Sequence, residues 1–172
     1  MRVHSLAVLL LMLAGTASAQ TPFTLSLVPS QSATGQRGIA SAASRPDTFY
    51  VVVTNVLEQP LAVWALSNSW GYRSLSFEMT MQDGTTVTIF KKPQVFTRNV
   101  PSAFLIPPHE HQVLPIQLDS KWQNRPSFPV AGSEPIILRV IYEVAPSVEA
   151  TDHAVWTGRV ASQSYALTLH HW

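Results

Sequence analysis

His109 and His111 flank Glu110 in the stretch FLIPPHEHQVLPIQL, residues 104–118. On an extended chain, residues two apart project to the same side, so this spacing can offer both imidazoles to one transition-metal ion. A tight zinc or copper site needs a third protein ligand and a hydrogen-bond partner for each ring's second nitrogen. The sequence supplies only distant candidates for the third position: His153, His170 and His171. The same parity sets His109 and His111 beside Val113, opposite an apolar face of Leu114, Ile116 and Leu118. The pair is therefore expected to meet water, and metal binding through His109 and His111 is the second reading of this chain.

Other side chains suggest weaker chemistry. Met79 and Met81 are thioethers of the kind that suit Cu(I), yet both continue the stripe of Leu75 and Phe77 and are expected in the core. No GxSxG elbow and no HExxH run is present. Of the carboxylates, Asp83 belongs to a turn and Glu110 to another, which leaves no pair placed for glycosidic hydrolysis. The expectation is a protein without catalysis and without a cofactor. The aromatic run Asn68-Ser69-Trp70-Gly71-Tyr72-Arg73 is a stronger candidate for contact. Trp70, Tyr72 and Arg73, joined by Trp122, would form a stacking platform for sugar or protein if exposed, and a lid on the core if buried.

The elements that would carry these residues are short and extended. Thirteen prolines and period-two alternation argue for strands broken by turns. Phe23, Leu25 and Leu27 alternate with polar neighbours in a first strand, and residues 29–47 read as a long mobile loop with little to bury. TFYVVVTNV and LAVWAL are rich in residues that favour extended backbone, and Glu58-Gln59-Pro60 turns one into the other. Residues 74–81 alternate most clearly, and Asp83-Gly84 closes a hairpin by supplying positive backbone angles. QVLPIQLD, PIILRVIYEV, AVWTGRV and SYALTL complete eight or nine antiparallel strands with no intervening helix. That pattern predicts one all-β domain, a two-sheet sandwich.

Composition narrows the setting. Residues 1–19 combine Arg2, an apolar run from Leu6 to Ala14 and small residues at Ala17 and Ala19, the pattern of a secretory signal peptide; the run is too short to span a bilayer, which takes ~20 residues. The domain would then comprise residues 20–47, with the first strand and long loop, and residues 48–172, with the rest of the sandwich. Its location is expected to be secreted or periplasmic, with no integral membrane segment after cleavage. Eleven basic residues face ten acidic ones in the full chain, and loss of Arg2 with the leader equalises them. The one adjacent basic pair, Lys91-Lys92, reads as a solvated strand end, so no nucleic-acid partner is expected. With no cysteine, stability must come from core packing alone rather than from the disulfides common in small exported domains.

Two stretches, VVVTNVLEQPLAVWALSNSWGYRSLSFEM with DGTTVTI, and IPPHEHQVLPIQL, resemble exported bacterial β-sandwich domains of the broad immunoglobulin-like type. In these a strand ending in Asn precedes a Pro-Leu turn, and a Pro-Pro-x-Glu turn leads into a later strand. The Asn68 to Tyr72 run is similar to uncharacterised secreted proteins of environmental bacteria, and the sandwich distantly resembles a bacterial proteinase inhibitor. The resemblance implies an immunoglobulin-like sandwich that binds an unidentified protein or glycan at the envelope, with proteinase inhibition as a further alternative.

Overall fold

β-Branched and aromatic residues at alternate positions build most of the chain into strands, because a pleated segment buries one face while leaving the other wet. The structure, a computed structural model, describes residues 21–31, 37–40, 47–126 and 131–171. The leader expected at 1–19 lies outside them. In order, the elements are β1 (Phe23–Val28), β2 (Ser30–Gln31), β3 (Arg37–Ala40), β4 (Phe49–Asn55), β5 (Leu61–Trp64), β6 (Leu75–Thr80), β7 (Thr86–Lys91), β8 (Ala103–Ile106), β9 (His111–Ile116), β10 (Trp122–Gln123), β11 (Gly132–Val144), α1 (Val148–Asp152), β12 (Gly158–Ala161) and β13 (Tyr165–His171).

Three sheets result. One has the order β1-β4-β9, a second pairs β5 with β8, and the third runs β10-β7-β6-β11-β13-β3-β2 with β12 also on β11. The first two continue each other: β4 lies antiparallel to β9, and β5 antiparallel to β8. Between them residues 56–60 face residues 107–110. The joint is tied by Asn55, which is fully buried. Its Nδ2 donates to the carbonyls of Gln59, Ile106 and Pro107 at 2.8, 3.0 and 3.1 Å, and its Oδ1 accepts from Leu57 N–H at 2.9 Å. The side chain thus replaces the ladder bonds that the break removes.

β11 is the spine of the large sheet. β6 flanks one side; β13 and then β12 share the other. Where β12 gives way to β13, Ser162 donates its N–H to the Val140 carbonyl at 2.8 Å and accepts the Val140 N–H on Oγ at 2.9 Å. β12 and β13 therefore act as one kinked strand.

The inward faces of all three sheets meet in a single apolar cluster. Phe49 of β4 meets Phe77 of β6 edge-on at 5.5 Å, and Phe23 of β1 meets Tyr142 of β11 at 5.6 Å. Leu114, Ile116 and Leu118 point inward as their parity predicts, and Met79 is fully buried.

Several expectations need correction. The helix α1 stands where none was predicted, capped by Ser147 Oγ accepting from Ala150 N–H at 3.1 Å. Elements outnumber the eight or nine strands because long ones are interrupted and short ones pair at the margins. Residues 29–47 are not all loop: β3 pairs parallel with β13, against the all-antiparallel expectation, and Ile39 is fully buried. A single isoleucine among small and polar residues gives no period to read, and the fit depends on Gly38, whose hydrogen leaves room for the Thr168 carbonyl 2.6 Å from where a Cβ would stand. In the β6–β7 hairpin Gly84 alone takes positive φ, +85°, while Asp83 accepts Thr85 N–H on Oδ1 at 2.8 Å.

Candidate functional site

The residues singled out above do not gather in one place. β9 begins at His111, so His109 is not on the strand: it occupies the Pro107–Glu110 turn with φ +61°. Its Nε2 lies 3.1 Å from Glu58 Oε2, an exposed pair across the same joint that Asn55 ties. His111 is exposed on the outer face of the three-stranded sheet, in the row of Thr54 and Thr24. Two-residue spacing aligns side chains only while the backbone stays extended, and the turn breaks that condition. His153 lies against Trp64 with ring centroids 5.5 Å apart, and His170 Nδ1 is 2.8 Å from Ser133 Oγ on β11; the side chain of His171 is outside the described residues. Among the described residues, no three His, Asp or Glu side chains are grouped to hold a metal ion.

The Trp70, Tyr72 and Arg73 group is also divided, and Asn68 explains why. Its Oδ1 accepts Gly71 N–H at 2.8 Å, and its Nδ2 donates to the Ser102 carbonyl at 2.8 Å, which pulls the run into a tight turn against residues 99–102. Gly71 is pressed on the Ala65 carbonyl so closely that no Cβ fits. The side chains on either side of it diverge. Trp70 is half-buried against Trp64 at 5.9 Å, Arg73 lies over Phe90 at 5.6 Å, and Tyr72 meets Phe96 edge-on at 5.4 Å.

Tyr72 opens onto a cleft of about 310 Å3 at the end of the sheets where β7, β9 and β10 converge. Leu66, Phe96 and Pro115 give it apolar surface; Ser67, Gln94, Lys91 and Lys121 give it polar groups. Trp122, the fourth aromatic of the expected platform, is only 2% exposed and forms part of the cleft's inner wall, its Nε1–H donating to the Gln117 carbonyl at 2.7 Å. Lys91 is not the solvated strand end that its sequence neighbours suggest. Its Nζ lies 4.1 Å from the Trp122 ring centroid and 5.7 Å from that of Tyr72. Burial pulls this ammonium below the ordinary lysine value; Asp119 opposes the effect and Lys121 adds to it. Burial, with Asp119 contributing, raises the Tyr72 phenol above its usual value.

A larger groove of about 510 Å3 at the far end of β6, lined by Met81, Ile136, Ile137 and Leu167, has no charged side chain in its lining. A further groove of about 420 Å3 carries Tyr165 and Arg159, but that guanidinium is paired with Glu78 and Glu143; the Tyr72 cleft joins aromatic faces and donors to lysines outside such ion pairs, at a size near the lower bound of small-molecule sites, roughly 300–1,000 Å3. Of the residues that line this cleft, the sequence singles out Tyr72 and Trp122 but gives no such prominence to Lys91, Gln94 or Phe96. Only the adjacency of two lysines marked this segment, and nothing in one dimension says that β10 lays a tryptophan beneath one of them.

Comparison of the chain with protein-family models, with curated proteins and with solved structures finds no match. The likeness read from turn and strand signals therefore has no identified family behind it, and the structure carries its coarser content: a domain of mostly β-strands in several sheets.

Proposed function

We propose that this protein is an exported, non-catalytic immunoglobulin-like β-sandwich that binds glycan at the bacterial envelope through the Tyr72 cleft. Face-to-face packing of the inward sheet surfaces supports the sandwich, and the leader pattern in residues 1–19 supports export. The observation that carries the binding reading is the half-open cleft in which Tyr72 and Phe96 offer aromatic edges and faces beside hydrogen-bonding side chains. Sugars are held by that combination, an apolar ring face on an aromatic and hydroxyls on fixed polar groups.

Binding of the purified chain to an array of immobilised glycans tests the reading. Tyr72→Ala should weaken the strongest signal about tenfold or more, the loss expected of an aromatic anchor, while leaving the thermal midpoint within a few degrees. Trp70→Ala should instead lower stability, since Trp70 leans on Trp64. Unchanged binding by Tyr72→Ala, or an array without any signal, would overturn the proposal.

A further inference from the structure

Lys91 gives the cleft a sign. A half-buried ammonium is ordinarily matched by a carboxylate, yet the ion pairs among the described residues lie elsewhere: Glu58 with His109, and Glu78 and Glu143 with Arg139 and Arg159. Asp119 is close enough to be felt, but its Oδ1 accepts Lys121 N–H at 2.9 Å in the turn before β10 and is held there. The faces of Trp122 and Tyr72 compensate Lys91 in part, as a ring face does for a cation. Lys121 adds a second ammonium to the same lining. Two cations thus line a cleft that opens to solvent, and the one carboxylate felt there, Asp119, lies outside the lining.

We infer that the cleft takes an acidic glycan, with a sugar ring against Tyr72 and Phe96 and its carboxylate on the Lys91 ammonium. This rests on the glycan reading above and adds the charge. A charge-assisted N–H···O bond to a group already stripped of part of its water is stronger than one formed in the open. An anion arriving at Lys91 also offsets the desolvation that disfavours its charged form. An acidic peptide would satisfy the same charge, and one way for it to dock is by adding to a strand edge. At β9, one of the strands that line this cleft, such a peptide would meet Pro115, which has no N–H to donate.

Titration calorimetry on the purified chain at low salt decides the matter, with trimers of galacturonate and of glucuronate set against their neutral galactose and glucose counterparts. At least one acidic trimer should bind about tenfold or more tightly than its neutral counterpart. Lys91→Met, which keeps the stem on Trp122, should abolish that preference, and Lys91→Arg should retain most of it, both with little change in thermal midpoint. Equal binding of acidic and neutral trimers overturns the inference and leaves the glycan reading standing. Binding of neither overturns both. A preference that survives Lys91→Met removes Lys91 from the role, and a tetraglutamate peptide that binds as well as the acidic trimers replaces the sugar.

Discussion

Tyr142 shows how much of this molecule rests on single buried polar atoms. Its hydroxyl, at the centre of the core, accepts the Trp64 N–H at 3.1 Å, and the residue is 1% exposed. Burial pushes its pKa up to about 12, against opposing bonds from Ser74 and the Trp64 amide. The unfolded chain gives up this proton near pH 10 and the folded one near 12, so stability is whole below pH 10 and falls as pH rises through that interval. The fall attributable to Tyr142 should be of order 2–3 kcal/mol. Urea unfolding at several alkaline pH values checks it: Tyr142→Phe should flatten the slope between pH 10 and 12, and should cost about 1–2 kcal/mol at neutral pH by orphaning an amide. His109 and His111, which stood out in sequence, are exposed on the surface, while this phenol, with no motif around it, carries the larger energetic consequence.

Among the elements, the joint between the β4–β9 and β5–β8 ladders is the most demanding. The strand-ending Asn55 with its Pro60 turn, and the Pro107 to Glu110 turn, are far apart in sequence and opposite each other in space. Asn55→Leu would leave Leu57 N–H and up to three carbonyls without their partner. At ~1–3 kcal/mol for each buried group left unsatisfied, the expected loss is about 3 kcal/mol or more in chemical denaturation. Asn55→Asp, though nearly the same shape, should be no milder, because it turns a donor into a charge aimed at carbonyl oxygens. The two turn signals were legible in the sequence, each as a local stop. Their mutual contact was not, since pairing across about fifty residues leaves no periodic trace.

For the whole molecule, the balance of charges and the absence of cysteine leave apolar packing as the main source of stability. The core draws on strands from both ends of the chain: β1 packs against β11 and β12, and the parallel β3–β13 pair joins residues 38–40 to residues 168–170. Contacts of such long sequence separation make folding slow, because loop closure precedes the gain from pairing. Stopped-flow refolding followed by tryptophan fluorescence should therefore give a main phase in the millisecond-to-second range. Microsecond folding would contradict this topology.

Alternation of side chains determined, from sequence alone, which faces of β1, β6 and β9 are buried, because a strand's two sides are set by the local backbone and need no knowledge of partners. Turn chemistry likewise marked the hairpin at Gly84 and the run centred on Gly71. Only the tertiary structure decided that Trp70 and Tyr72 part company around that glycine, that Ile39 anchors a strand in a stretch without pattern, and that Lys91 sits on Trp122 at the mouth of a cleft. These depend on which distant segments meet, and burial, charge compensation and ligand-sized space are properties of the meeting rather than of either segment.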